Sequence, residues 1–98
     1  MLHHVKQLIE KTPYRLVLQF NTGEVLPVDL KANLEEWSKS EASLFRELLD
    51  PEQFLTAAVH PEMETIVWEN GADLCPDVLH GLAVNQQKQL TRNEPSSV

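Results

Sequence analysis

The feature that most constrains the fold is an alternation of apolar residues on both sides of a turn within residues 14–30. The alternating apolar positions are Leu16, Leu18, Phe20, Leu26, Val28 and Leu30. Between the two runs, Asn21-Thr22-Gly23-Glu24 supplies turn residues, and Gly23 can adopt a positive φ at no steric cost. The segment is therefore predicted to be a β-hairpin. Pro27 has no N–H to donate, which predicts an edge position for the second strand.

Two helical signals follow the hairpin. Ser38 and Glu41 have the spacing of a capping box, in which each side chain satisfies the other's backbone N–H. They predict a helix whose apolar face is Ala42, Phe45, Leu48 and Leu49. Asp50 followed by Pro51 predicts the cap and first residue of a second, short helix.

The C-terminal half reads as a second hairpin and a last helix. Thr56–Val59 is ambiguous between helix and strand; strand is favoured because a turn-like segment and then β-branched and aromatic residues follow it. Asn70-Gly71 predicts a chain reversal, with Asp73 accepting backbone N–H groups in the loop behind it. Pro76 and Asp77 suit the first turn of a helix whose apolar face is Val78, Leu79 and Leu82.

Together these elements predict an α+β fold with a small antiparallel sheet of two hairpins, about four or five strands, and two or three short helices. Residues 1–84 are expected to form one domain. Residues 85–98 are polar and are expected to be a C-terminal tail or an extension of the last helix.

The charge is concentrated in the middle of the chain. The net charge is −7 overall, but residues 32–77 alone carry eleven carboxylates and two cations, a net of −9. This distribution favours a basic protein partner and argues against nucleic-acid binding by this chain alone, because phosphates require the opposite sign. No apolar run is long enough to span a membrane and no signal peptide is recognised, so a cytoplasmic protein without membrane contact is expected.

No motif for chemistry emerges. The four histidines and single cysteine lack metal-ligand spacing, so neither a metal nor another cofactor is predicted. Cys75 with His80 could form a thiol–base pair, yet five residues from loop to helix do not aim the ring at the sulfur, and nearby carboxylates oppose a thiolate. Asp73 and Asp77 could form a catalytic carboxylate pair, but capping the last helix is the simpler role.

Several segments resemble, in order, a family of short bacterial proteins known only as a domain of unknown function. The most specific of them is Trp68-Glu69-Asn70-Gly71-Ala72-Asp73-Leu74. The resemblance implies a small α+β fold. It also implies a regulatory or antitoxin-like role, since some members are fused to a helix-turn-helix domain or encoded beside toxin-like proteins. In this chain the helix-turn-helix domain is expected to be absent.

The sequence thus favours a non-enzymatic protein-interaction or regulatory module, expected to be a homodimer. The expected interface is formed by Trp68, Asn70 and Asp73. The first alternative is a small-ligand-binding regulatory domain. The second is an enzyme that uses Asp73, Cys75 or His80.

Overall fold

Two three-stranded antiparallel sheets and a long C-terminal helix form the fold of this protein. The computed structural model describes residues 2–40 and 43–92. The first sheet has the order β1-β2-β3 and the second β4-β5-β6. The elements are β1 (Val5–Thr12), β2 (Arg15–Phe20), β3 (Val25–Asp29), α1 (Lys31–Trp37), a 3₁₀ helix (Leu44–Leu49), α2 (Pro51–Phe54), β4 (Ala58–Val59), β5 (Ile66–Val67), β6 (Asp73–Leu74) and α3 (Pro76–Arg92).

The α+β class and the predicted hairpin of residues 14–30 are confirmed. In the first sheet Leu16 lies opposite Val28 and Leu18 opposite Leu26, which places the alternating apolar residues on one face. That face is buried against the rest of the fold, while the opposite face carries Val17 and Pro27. The two hairpins were expected to share one sheet. They belong instead to two sheets, and each hairpin pairs with a third strand.

Strand β3 is an edge strand, as Pro27 predicted, and its edge is covered. Beside this strand the Leu30 N–H donates to the Tyr14 carbonyl. In the register that follows, even-numbered residues of β3 form hydrogen bonds to β2, and the backbone groups of odd-numbered residues point outward. Pro27 has no outward N–H to offer. At Asp29 the Gln86 side chain accepts from the backbone N–H at 2.9 Å and donates to the carbonyl at 2.8 Å. A side chain of α3 therefore takes the place of a fourth strand, which protects the edge from pairing with another chain.

Two loops close in the same way, each with a glycine at positive φ. Gly23, at φ +91°, donates to the Phe20 carbonyl, and Gly71, at φ +96°, donates to the Trp68 carbonyl. In both loops the residue that accepts this bond also donates one: the Phe20 N–H to the Glu24 carbonyl, and the Trp68 N–H to the Ala72 carbonyl. An L side chain rarely adopts this left-handed conformation, so both turns depend on glycine.

The region between the sheets differs from the predicted helix. Ser38 does not begin a helix but ends α1, with its backbone N–H bonded to the Leu34 carbonyl and its hydroxyl donating to the Glu35 carbonyl. The capping box is therefore wrong at Ser38; Glu41 and Ala42 lie outside the described residues. The N-cap that forms is Ser43, whose Oγ accepts from the Phe45 N–H at 3.2 Å and starts the 3₁₀ helix.

Helix α1 was not predicted, because it lacks a recognised cap residue at its first position. Its N-cap residue is Leu30, and a carboxylate one position earlier satisfies the helix start: Asp29 Oδ1 accepts from the Lys31 N–H at 2.9 Å. Leu34 is fully buried and anchors the helix. By contrast, Asp50 caps α2 at the expected position, accepting from the Glu52 N–H at 3.0 Å.

The second sheet and α3 complete the fold. Ala58 pairs with Val67 and Val59 with Ile66, so the favoured strand at residues 56–59 is confirmed over its last two residues. Residues 73–74 were expected to be loop but form β6, because the reversal at Gly71 returns the chain alongside β5. Helix α3 continues through the polar segment to Arg92. Within residues 76–88 of this helix the buried side chains are Leu79 and Ala83, whereas Val78, predicted to face the core, is 44% exposed.

One apolar core joins both sheets and the helices. Its largest fully buried side chains are Phe20, Phe54, Leu16, Leu18, Leu30, Leu34, Leu48, Ile66 and Leu79. They come from the first sheet, every helix and the second sheet, which argues that these parts fold together. Within residues 2–40 and 43–92, no helix has the length and apolar character needed to cross a bilayer.

Candidate functional site

The segment from Trp68 to Leu74 is a structural joint in which polar groups serve the fold. The Trp68 side chain is 3% exposed, and its indole N–H donates to the Phe54 carbonyl at 2.9 Å. Just before it, the Thr65 hydroxyl donates to the Leu74 carbonyl. These bonds tie β5 to α2 on one side and to β6 on the other.

Asn70 uses its amide for the same purpose. Its Nδ2 donates to the Leu44 carbonyl at 3.1 Å and to Glu47 Oε1 at 2.7 Å, while its Oδ1 accepts from the Ala72 N–H at 3.0 Å. The turn is thereby fastened to the 3₁₀ helix. The Asx-type role predicted for Asp73 is taken by Asn70, because Asn70 is the residue whose side chain reaches the N–H two positions onward.

The three residues of the predicted interface therefore have different surroundings. Trp68 is buried and cannot offer its indole to a partner, and the amide of Asn70 is occupied. Asp73 is exposed on β6, an edge strand, and no residue of the described ranges hydrogen-bonds its carboxylate. Of the three, Asp73 alone has a functional group free at the surface of the described structure.

Asp73 belongs to a row of residues on the outer face of the second sheet. Val67 of β5 lies between Ala58 of β4 and Asp73 of β6 in the strand register. Alternation along each strand sends these three side chains to the face opposite Ile66 and Leu74, which are buried. Ala58 and Asp73 are exposed and Val67 is half-buried. We refer to Ala58, Val67 and Asp73 as the outer row.

A second cluster lies where the first sheet meets the beginning of α3. The imidazole rings of His3 and His80 stack with centroids 3.7 Å apart and planes 16° from parallel. Phe20 of β2 meets the His80 ring edge-on at 5.0 Å. The Nδ1 of His3 lies 2.8 Å from Asp77 Oδ1, and the Nε2 of His80 lies 2.8 Å from Glu24 Oε1. We call His3, His80, Glu24 and Asp77 the histidine clamp.

Each pair of the histidine clamp joins the first sheet to α3, and the two pairs run in opposite senses. His3, which precedes β1, supplies an imidazole to Asp77 of α3. Glu24, in the turn before β3, supplies a carboxylate to His80 of α3. The His3 backbone N–H also donates to Asp77 Oδ1 at 3.0 Å. Asp77, whose simpler expected role was to cap the last helix, thus also holds the N-terminal segment.

The carboxylates of the histidine clamp are stabilised in their ionised form. The hydrogen bond from His80 holds the pKa of Glu24 below its ordinary value, with a further contribution from the Thr22 hydroxyl. The side-chain and then the backbone hydrogen bond from His3 lower the pKa of Asp77. An ionised carboxylate only accepts hydrogen bonds, so His3 carries a proton on Nδ1 and His80 carries one on Nε2.

The histidine clamp does not have the geometry of a metal site. A metal ion binds in the plane of an imidazole ring, and two parallel planes 3.7 Å apart share no such position. Within residues 2–40 and 43–92, no three histidine, cysteine or acidic side chains are grouped so as to hold a metal ion. Cys75 is exposed, and His80, considered above as its base, is bonded to Glu24.

Comparisons with known proteins address the fold and the family. No curated protein matches the chain. A crystal structure from Nitrosomonas europaea, described as that of a "Putative DNA Binding Protein", matches with a TM-score of 0.72 and 24% identity. The match covers 90% of this chain and 53% of that one, so the chain spans about half the length of its structural neighbour. At this identity the likeness establishes a shared fold.

The description of that neighbour corrects one prediction. Nucleic acid was excluded on charge as a partner of this chain alone, and the comparison contradicts this exclusion, since a protein of the same fold is described as a "Putative DNA Binding Protein". Net charge sums the whole surface, whereas phosphate contacts depend on where the cations lie. Residues 1–31 and 78–98 each carry a net positive charge. Neither the predicted homodimer nor the basic protein partner is supported by an observation on the described residues.

The family match covers most of the chain. The sequence profile described as "Protein of unknown function (DUF2442)" matches residues 5–84, which include both sheets and the first turns of α3. The predicted resemblance to a family without an assigned function is confirmed, and the chain belongs to the DUF2442 family of proteins of unknown function.

Proposed function

We propose that this chain is a non-enzymatic regulatory module that recognises another protein through the outer row, within a DNA-associated system. The observation that carries the proposal is the exposed Asp73 carboxylate beside half-buried Val67 and exposed Ala58. An apolar strip next to a charge with no internal partner is typical of a recognition surface, because the apolar contact supplies affinity and the charge supplies specificity.

The surroundings of the remaining candidate residues support binding over catalysis. The Trp68 indole and the Asn70 amide are engaged in holding the joint together. The histidines of the histidine clamp are bonded to the carboxylates of Asp77 and Glu24. Side chains with structural partners of this kind favour a module that acts by contact.

The link to DNA rests on the structural neighbour. That protein is described as a "Putative DNA Binding Protein", and nearly half of its chain lies outside the match with this one. A domain of this fold can therefore form one part of a longer chain. The proposal therefore assigns to this chain the recognition of a protein within such an assembly.

Affinity capture from the native host tests the proposal. The chain would be immobilised as wild type, as Asp73→Arg, and as the control Glu10→Gln, which neutralises an exposed carboxylate on the first sheet. We expect wild type and Glu10→Gln to retain the same protein, and Asp73→Arg to reduce its recovery roughly tenfold. Reversing a charge within an interface costs more than about 1.4 kcal/mol of binding free energy.

Two results would refute the assignment. Equal recovery of every protein by wild type and Asp73→Arg would remove the outer row from recognition. Tight, salt-sensitive binding of the wild-type chain to a DNA duplex, unaffected by Asp73→Arg, would place the primary contact on nucleic acid instead. Near-ultraviolet circular dichroism of the buried Trp68 confirms that each variant is folded.

A further inference from the structure

We propose that the protein recognised through the outer row presents an extended segment, which adds to β6 as a fourth strand of the second sheet. The inference rests on the proposed function and deepens it, because it names the kind of structure that the partner brings. It is carried by the backbone groups of Asp73, which point away from β5 and to which no residue of the described ranges forms a hydrogen bond.

The direction of the backbone groups of β6 follows from the hydrogen bond that closes the turn before it. The Trp68 N–H donates to the Ala72 carbonyl at 2.9 Å, so these two residues form a hydrogen-bonded pair. Bonded and non-bonded pairs alternate along an antiparallel ladder. The next pair in the register, Val67 with Asp73, is therefore non-bonded. The N–H and carbonyl of Asp73 point to the open side of β6.

The other side of β5 gives the same assignment independently. The His60 N–H donates to the Thr65 carbonyl at 2.8 Å, which makes that pair hydrogen-bonded. By the same alternation the pair two positions along, Ala58 with Val67, is also hydrogen-bonded. The backbone groups of Val67 are thus directed at β4 and are not available to Asp73.

The other strand edges have neighbours. The edge of β3 is covered by a side chain of α3. Strand β1 lies beside β4, with the Val5 N–H donating to the Glu64 carbonyl at 2.8 Å and the Lys11 ammonium to the Ala57 carbonyl at 3.1 Å. By contrast, no described residue bonds the outward groups of Asp73 on β6. A strand edge with free main-chain groups is a template for another strand.

An extended main chain is the partner that such an edge selects. The N–H and carbonyl of Asp73 can exchange two hydrogen bonds with one residue of an antiparallel strand, and the Cys75 N–H is the next outward donor by alternation. Because β6 is only two residues long, the main chain supplies few bonds beyond these. Side-chain contacts with the outer row must supply the remaining affinity and the choice of partner.

Strand addition also determines where the partner's side chains lie. The residue opposite Asp73 sends its side chain to the outer face, beside the carboxylate. An ionised carboxylate only accepts hydrogen bonds, so this residue should carry an N–H or O–H. Its two neighbours turn to the opposite face, on the side of Leu74, which is 7% exposed, and should be apolar. The expected segment is a donor side chain between two apolar residues.

Peptide binding by the full chain tests the proposal. A phage-displayed library of unstructured peptides would be selected on the wild-type chain, and the recovered peptides titrated calorimetrically into wild type, Asp73→Pro and Asp73→Asn. Proline removes the outward N–H and is tolerated on edge strands, as Pro27 is in β3. Asp73→Asn is the matched control because it keeps that N–H. We expect Asp73→Pro to weaken binding roughly tenfold more than Asp73→Asn does.

Amide hydrogen exchange gives a second readout that needs no substitution and stands even if Asp73→Pro does not fold. In the free chain the Leu74 amide, directed at β5, should be protected, while the Asp73 amide exchanges freely. Bound peptide should slow exchange of the Asp73 amide by about tenfold or more, because a strand added to β6 accepts from it.

Several results would overturn strand addition. They are a library that yields no binder, a bound peptide that leaves exchange at Asp73 unchanged, and equal weakening by Asp73→Pro and Asp73→Asn. Protection of the Asp73 amide in the concentrated chain without peptide would instead place a second copy on this edge. The proposed function fails separately, when Asp73→Arg recovers every protein from the native host as well as wild type does.

Discussion

The imidazole of His3 lies face to face with that of His80 at 3.7 Å, although the two residues stand near opposite ends of the described chain. Neither ring has a partner in its own segment; His3 bonds to Asp77 and His80 to Glu24. This contact connects the strand that opens the fold to the helix that closes it. It also removes both histidines from the group of residues available for other chemistry.

Substitution by alanine should change the free energy of unfolding in opposite directions at Gly71 and Gly81, because their backbone conformations differ. Gly71→Ala should destabilise the protein by about 1 to 2 kcal/mol, because φ is +96° there and the cost of a left-handed L residue is of that size. Gly81→Ala should stabilise it by about 0.5 to 1 kcal/mol, since the residue lies within α3. At both positions an added Cβ meets nothing within 4 Å. Urea denaturation checks the two signs, and a loss at both positions would contradict this explanation.

The two tryptophans should differ in what their indole N–H contributes. Trp68→Phe should lower the free energy of unfolding by about 2 kcal/mol, because it removes a bond to the Phe54 carbonyl and leaves unfilled volume in the core. Trp37→Phe is the matched control. Trp37 is half-buried against Phe45, and its indole N–H has no hydrogen-bond partner in the described structure. Trp37→Phe should therefore lower the free energy of unfolding by less than about 1 kcal/mol. Equal losses in chemical denaturation would show that the Trp68 hydrogen bond is unimportant.

Stability should decline at acid pH through the carboxylates of the histidine clamp. Glu24 and Asp77 have pKa values below their ordinary values in the folded protein, so the unfolded chain binds more protons as the pH falls. Their contribution is complete above the ordinary carboxyl value of about 4 and is lost as the pH falls through the lowered values. The urea midpoint followed from pH 6 down to about pH 2.5 should therefore fall less steeply in Glu24→Gln than in wild type. An unchanged slope would exclude Glu24 from the acid response.

Local signals in the sequence predicted the elements whose causes are local. The hairpin of residues 14–30, the edge position signalled by Pro27, the cap at Asp50 and the start of α3 each depend on side chains within a few residues of one another. Such interactions can be recognised from spacing alone.

The remaining features depend on partners that are distant in sequence. Helix α1 has no side-chain cap at its N-cap residue, and β6 is a two-residue strand that exists because β5 is beside it. The predicted capping box at Ser38 had correct spacing, but the chain is still completing α1 there. The histidine clamp could not be predicted, because no pattern places residues 3, 24, 77 and 80 together before the tertiary structure is known.

The three residues predicted as an interface lie in one segment, but the structure gives them different surroundings. Trp68 and Asn70 attracted attention as a large aromatic and a polar side chain, and both are used internally. Asp73 was expected to support a loop and is instead exposed on an edge strand. The difference arises because one side chain, Asn70, satisfies the turn and leaves Asp73 free of that task.

The account assigns a structural role to Asn70 and an exposed, unbonded carboxylate to Asp73. The measurement that tests it most directly compares the free energy of unfolding of Asn70→Ala with that of Asp73→Asn. Asn70→Ala removes two hydrogen bonds that hold the joint to the 3₁₀ helix and one within the turn, and should cost about 2 kcal/mol. Asp73→Asn alters an exposed group without an internal partner and should change stability by less than about 0.5 kcal/mol. The reverse order, with Asp73→Asn the more damaging substitution, would contradict the account, since Asp73 would then be structural and the hydrogen bonds of Asn70 dispensable.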